Sequence, residues 1–255
     1  MNEVYATHPS GLQIRFTDHD HVYEDARGHQ YLSGTSFLKD FFSPFEADKV
    51  AGIIAEKEGK SPAQVKAEWK WARDSGTRMH ENCEAQCKGL PPVHQPQNQN
   101  EYTAFVAAHN CLHELMARFK LIGAELIVFS PRYHIAGTID LLMYAGNGVY
   151  SIFDWKKCKA IYQQGFDDAR ALHPISHMQD CNGVKYGLQL ALYERIMRDE
   201  GYIEPDATVT RTLLHAKPMA DRIECYEIQD YRSEVTEMLL WHAYDLERAI
   251  PGVPF

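Results

Sequence analysis

No run of apolar residues in these 255 positions approaches the ~18 that a membrane-spanning helix needs. The opening Met1-Asn2-Glu3-Val4-Tyr5-Ala6 lacks the basic and apolar regions of a signal peptide, so a cytoplasmic protein with no membrane partner is expected. Paired cysteines are missing too. Cys83, Cys87, Cys111, Cys158, Cys181 and Cys225 are scattered, with no Cys-x-x-Cys, in a chain too large to need disulfide staples, so reduced thiols are expected. Excess positive charge is lacking: a net charge of -9 argues against coating nucleic acid by bulk attraction. A local basic track remains open, with Lys156, Lys157 and Lys159 in one cluster and Arg73 and Arg78 in another. Linkers, repeats and low-complexity breaks are absent. A single domain over 1–255 is therefore expected, with parts at 1–73, 74–217 and 218–255.

What is present alternates between strand and helix patterns. Leu12 to Phe16, His21 to Asp25 and His29 to Leu32 read as short strands separated by polar turns. Helices are expected over Pro44 to Glu58, from Ser61 as cap with Pro62 at the first position, and again from Asp74 or Ser75. Glu101 to Lys120 reads as an amphipathic helix with Tyr102, Phe105, Val106, Leu112 and Leu115 inward. Strands follow at Glu125 to Ser130, Tyr133 to Tyr144 and Val149 to Lys156, then an irregular stretch to Gln179 and a helix to Glu200. Thr208 to Lys217 and Arg222 to Ile228 read as strands, and Ser233 to Ala249 as a closing helix. This is an α/β pattern.

The strands around Gly146-Asn147-Gly148 form an expected hairpin. If those three residues are the loop, Ala145 faces Val149, which sets Asp140 across from Asp154 with Cβ atoms roughly 4.5–5.5 Å apart. Alternation puts Lys156 on the face of Asp154. Two carboxylates this close repel unless a cation sits between them, and a hard divalent ion suits oxygen ligands. An Asp-x-Lys triplet alone is expected on the order of once by chance in such a chain, so the opposed Asp140 is what gives it weight.

Two helical constellations accompany the hairpin. In Gly76-Thr77-Arg78-Met79-His80, followed by Glu84, the His and Glu lie one turn apart on one face. A zinc site of His80, Cys83 and Cys87 would lack a fourth ligand and the usual spacings. Gln189 and Tyr193 are likewise one turn apart, flanking the apolar stripe Val184, Leu188, Leu192 and Ile196.

Taken in order, Gly76-Thr77-x-x-His80, Gly137-Thr138-Ile139-Asp140, Asp154-Trp155-Lys156 and Gln189-x-x-x-Tyr193 make the chain resemble the RecB-type branch of the PD-(D/E)XK nucleases. That branch includes CRISPR adaptation nucleases and mitochondrial and phage exonucleases, and the resemblance covers roughly Ser33 to Met197. It implies a central mixed β-sheet flanked by helices, a restriction-endonuclease-like core with an N-terminal β-hairpin and helical additions.

It further implies that Asp140 and Asp154 ligate metal, that His80 and the backbone carbonyl of Trp155 join them, and that Lys156 orients the attacking water. Gln189 and Tyr193 would line the groove or hold Lys156, Glu125 would reach the metal through water, and Glu84, Arg78, Lys157 and Lys159 would support DNA binding. The cofactor would be one or two Mg2+ or Mn2+ ions. An iron-sulfur cluster is not expected, because only Cys225 follows the Gln-x-x-x-Tyr helix. The implied activity is a deoxyribonuclease, an exonuclease on DNA ends or single strands, with a recombination or replication protein as a partner and a phage or viral origin. A structure-selective endonuclease and a noncatalytic DNA-binding or protein-interaction module are the alternatives.

Overall fold

The computed structural model describes residues 3–17 and 20–249; the remaining residues of the expected 1–255 domain lie outside the described residues. Among the described residues, nine strands form one mixed open sheet, flanked by six helices. The strands β1 (Glu3–Thr7), β2 (Gln13–Thr17), β3 (Val22–Asp25) and β4 (Gln30–Ser33) run as an antiparallel meander, of which the sequence reading had missed the first. The sheet continues through β6 (Ile135–Gly146), β7 (Val149–Lys156), β8 (Thr208–His215) and β9 (Glu224–Glu227), while β5 (Lys120–Ser130) pairs with β6. The β4/β6 and β7/β8 pairings are parallel, and the others are antiparallel.

The helices α1 (Gly34–Lys39), α5 (Asn182–Asp199) and α6 (Arg232–Ala249) share a core with the sheet built on Phe37, Ile139, Ile152, Leu188, Leu192 and Leu213. Val184 and Ile196 are buried there as well, as the stripe on α5 predicts. A second core joins α3 (Pro62–Cys87) and α4 (Gln99–Arg118) to Leu141, Met143, Phe153 and Trp155. The helix α2 (Ala47–Glu58) packs on the first half of α3 through Ala51, Ala55 and Val65.

Two helical expectations need correction. The third helix expected from Asp74 or Ser75 does not start there, because α3 runs unbroken from Pro62 to Cys87. Its start is fixed by a capping box, in which the Gln64 N–H donates to Ser61 Oγ (3.3 Å) and the Ser61 N–H donates to Gln64 Oε1 (2.8 Å). Nothing comparable exists at Ser75, and Gly76 alone costs a helix only about 1 kcal/mol. On α4 the small residues Ala104, Ala107 and Ala108 face inward with Leu112, whereas Tyr102 and Val106 are exposed. Small side chains let the helix approach the sheet closely, and the larger ones turn outward.

Candidate metal centre

The site begins at a fork in the sheet. One edge of β6 pairs with β5 along almost its whole length; the other edge carries β4 at Ile135 and Ala136, then β7 from Leu141 to Gly146. Between those partners lie Gly137-Thr138-Ile139-Asp140, with no strand on that edge. The ring of Tyr193 packs into the fork, so a Cβ on Gly137 would lie 2.2 Å from Tyr193 Cε1 and one on Gly34 would lie 2.8 Å from it. Glycine is required at both positions by this close approach. The Nε2 of Gln189 donates to Tyr193 Oη at 3.1 Å.

The hairpin register is the expected one from Leu141–Phe153 to Tyr144–Tyr150. Its turn is tighter: Gly146, not Ala145, pairs with Val149, and Asn147 and Gly148 both have positive φ (52° and 71°), as a two-residue primed turn requires. The ladder stops short of Asp140 and Asp154. The Trp155 N–H that would have continued it donates instead to Asp140 Oδ2 at 2.7 Å.

Trp155 also orients His80 on α3. His80 Nε2 lies 3.0 Å from the Trp155 carbonyl oxygen, which only accepts, so Nε2 carries the proton and donates. In neutral imidazole that leaves a bare lone pair on Nδ1, 3.4 Å from Asp140 Oδ2 and 3.9 Å from Glu125 Oε1. One donor atom each from His80, Glu125 and Asp140 lies within 4.8 Å of the other two. Glu125 reaches this place by a backbone irregularity: it has φ of +49° inside β5, a strained conformation for a residue with a side chain.

Asp154 stands beside this trio, buried, with Oδ2 2.6 Å from Lys156 Nζ. The two form a close ion pair. The Lys156 ammonium also lies 4.7 Å from the centre of the Tyr186 ring. Tyr186 was not singled out from the sequence, although it lies three residues before Gln189 on α5.

Charge is crowded here. Burial, reinforced by Asp140, Glu84 and Asp154 and opposed by Lys156, pushes the Glu125 carboxyl up to about 9. Burial also raises Asp154, against the pull of Lys156 and with Asp140 adding. For Lys156 burial works against the charge, yet Asp154 and Asp140 outweigh it and hold the proton on.

His80, Glu125 and Lys156 open into a cleft of about 1400 Å³ between the β1–β2 hairpin and the α2–α3 pair. Glu84, Lys157 and Lys159 line it. Glu84 pairs with Lys88 at 2.5 Å, and Lys157 Nζ sits 5.4 Å from the centre of the Trp71 ring. Two residues expected near the groove lie elsewhere. Tyr193 is 3% exposed and forms the packing under Gly137, not a groove wall. Arg78 turns to Glu101, which is fully buried at the start of α4, with its Nε 3.1 Å from Oε1, so it ties α3 to α4.

No family model matches the chain, and no curated protein matches it. Among solved structures it is similar to a putative exonuclease from Eubacterium rectale, at 15% identity and a TM-score of 0.39, covering 86% of this chain and 82% of that one. It is also similar to SSO0001, at 16% identity and a TM-score of 0.31, covering 67% of this chain and 74% of that one. The functional reading rests on the site's own geometry.

Proposed function

We propose that this cleft is the active site of a metal-dependent deoxyribonuclease that hydrolyses phosphodiester bonds, acting as an exonuclease on DNA ends or single strands. The observation that carries the reading is the convergence of His80, Glu125 and Asp140 within 4.8 Å, beside a buried lysine–carboxylate pair. One imidazole nitrogen and two carboxylates fit a divalent ion such as Mn2+ or Mg2+; burial raises the Glu125 carboxyl, and the neighbouring Asp140, Glu84 and Asp154 add to it, a balance that a bound cation would reverse. His80, Glu125 and Asp140 would hold the ion, while Asp154 holds Lys156 beside them. When bound, such an ion lowers the pKa of a water ligand and offsets charge on phosphoryl oxygens.

The protein's own groups supply the rest. The two Trp155 backbone hydrogen bonds fix the His80 tautomer and the Asp140 rotamer before substrate arrives. Lys156, kept protonated by Asp154, presents its ammonium to the pentacovalent phosphate and orients the water that attacks phosphorus as the P–O bond to the leaving strand breaks. No covalent nucleophile is needed.

End-labelled single- and double-stranded DNA with Mg2+, Mn2+ or chelator tests the reading. Cleavage should require metal and fall about 100-fold or more in Lys156→Ala, the order seen when a preorganised charge-stabilising group is removed. Linear DNA should be degraded and covalently closed circles spared. Undiminished cleavage by Asp154→Ala and Lys156→Ala alike would remove the site.

A further inference from the structure

The cleft is far larger than an ion and one phosphate require, and its upper walls are aromatic. On α3, Trp69 faces it, its base packed on the small cluster of Ala51, Ala55 and Val65, and its ring centre 5.7 Å from that of Phe45. Phe45 is 68% exposed, so its ring is open to a ligand at the rim of the cleft. The facing wall carries Phe16, stacked at 4.6 Å on Tyr23. The floor below is His80, Glu125 and Lys156.

Charge along this cleft does not suit a duplex backbone. Five lysines and arginines line it against six glutamates, and Lys88 is already taken by Glu84. A double helix held by phosphate contacts needs a continuous basic track, which is missing here. An unpaired strand needs less: bases stack on aromatic rings whatever their sequence, and one phosphate at a time meets the cationic floor.

We propose that Trp69, with Phe45 beside it, is a base-stacking subsite for an unpaired strand, engaging a base a few nucleotides away from the phosphate at the His80–Glu125–Asp140 centre, because eleven residues of the unbroken α3 separate Trp69 from His80, about 16 Å along the helix. The proposal rests on the nuclease reading above and deepens it, since it names the residue that selects single-stranded over paired ends. Trp69 packs against the Ala51–Ala55–Val65 cluster, which limits the rotamers it would lose on stacking with a base.

The test, in chelator and on the full chain, is anisotropy of dye-labelled oligothymidylate of about twelve nucleotides, which reads affinity in every variant, together with tryptophan fluorescence of the wild type. Quenching is expected in the wild type, with binding weakened about 10-fold in Trp69→Ala and largely kept in Trp69→Phe, as expected of one base–aromatic stack. Blunt duplex of the same length should bind weakly and equally to all three. Phe45→Ala, whose exposed ring makes little demand on folding, should weaken oligothymidylate binding several-fold and covers the case in which Trp69→Ala misfolds. Wild-type affinity in both alanine variants, or quenching by duplex alone, overturns the subsite. A wild type that binds oligothymidylate through Trp69 yet cleaves nothing with metal sinks the nuclease reading and leaves the subsite standing.

Discussion

The Trp155 backbone and the Asp140 carboxylate are joined by a 2.7 Å hydrogen bond in place of the strand pairing that should run through them. That exchange frees the end of β7 from β6 and opens the fork. It also leaves the Trp155 carbonyl to accept the hydrogen bond from His80 Nε2, so one residue of main chain sets two prospective ligands.

Glu125 makes the metal-free protein less stable as pH rises. Its carboxyl keeps its proton up to about pH 9 in the folded chain, against the ordinary value of 4.5 when unfolded. Between those values the folded state binds more protons, so stability falls with increasing pH. Glu125→Gln, neutral throughout, should raise the melting temperature of chelated protein at pH 8 by the equivalent of about 1–3 kcal/mol, after allowance for solvent screening. The gain should vanish near pH 4.5; a pH-independent gain would contradict this account.

Gly137→Ala would place a methyl group 2.2 Å from the buried Tyr193 ring, which has no room to retreat. Destabilisation of about 3 kcal/mol is expected in urea unfolding, the upper end of ordinary overpacking. Adding Tyr193→Phe should restore little, since the clash is with the ring carbon and not chiefly the hydroxyl. A neutral Gly137→Ala would mean the fork is wider than it stands here.

Arg78 should matter for folding and not for DNA. Its partner Glu101 is fully buried, so Arg78→Ala leaves that carboxylate without its counter-ion, held only in part by the Gln97 N–H, and should cost about 3 kcal/mol. Arg78→Met with Glu101→Leu should recover most of that loss. KM for an oligonucleotide should be unchanged in the folded double variant; a several-fold rise would return Arg78 to the DNA surface.

Much of this architecture was legible in residue order. The alternation of Ile, Leu, Phe and Tyr around Asn147-Gly148 set the β6–β7 register, and Ser61 with Pro62 marked the start of α3 within a residue. The stripe on α5 marked its buried face. The sequence brought His80, Asp140 and Lys156 to notice through spacing and resemblance. It gave Glu125 a lesser place, because its reach depends on a positive φ that no local residue pattern signals. Tyr186 escaped for a related reason: its ring meets Lys156 across 30 positions of chain, a tertiary contact. Arg78 and Tyr193 looked like groove residues because polarity and spacing do not report depth, and both lie inward against partners on other elements.

The most direct test of the centre is Mn2+ binding, followed by electron paramagnetic resonance on the wild type and on His80→Ala, Asp140→Asn and Glu125→Gln. One saturable site in the wild type, tightening as pH rises because Glu125 must give up its proton, is predicted, with at least tenfold weaker binding in each variant. Wild-type protein that fails to bind Mn2+, or variants that bind it as well as the wild type, would contradict the assignment.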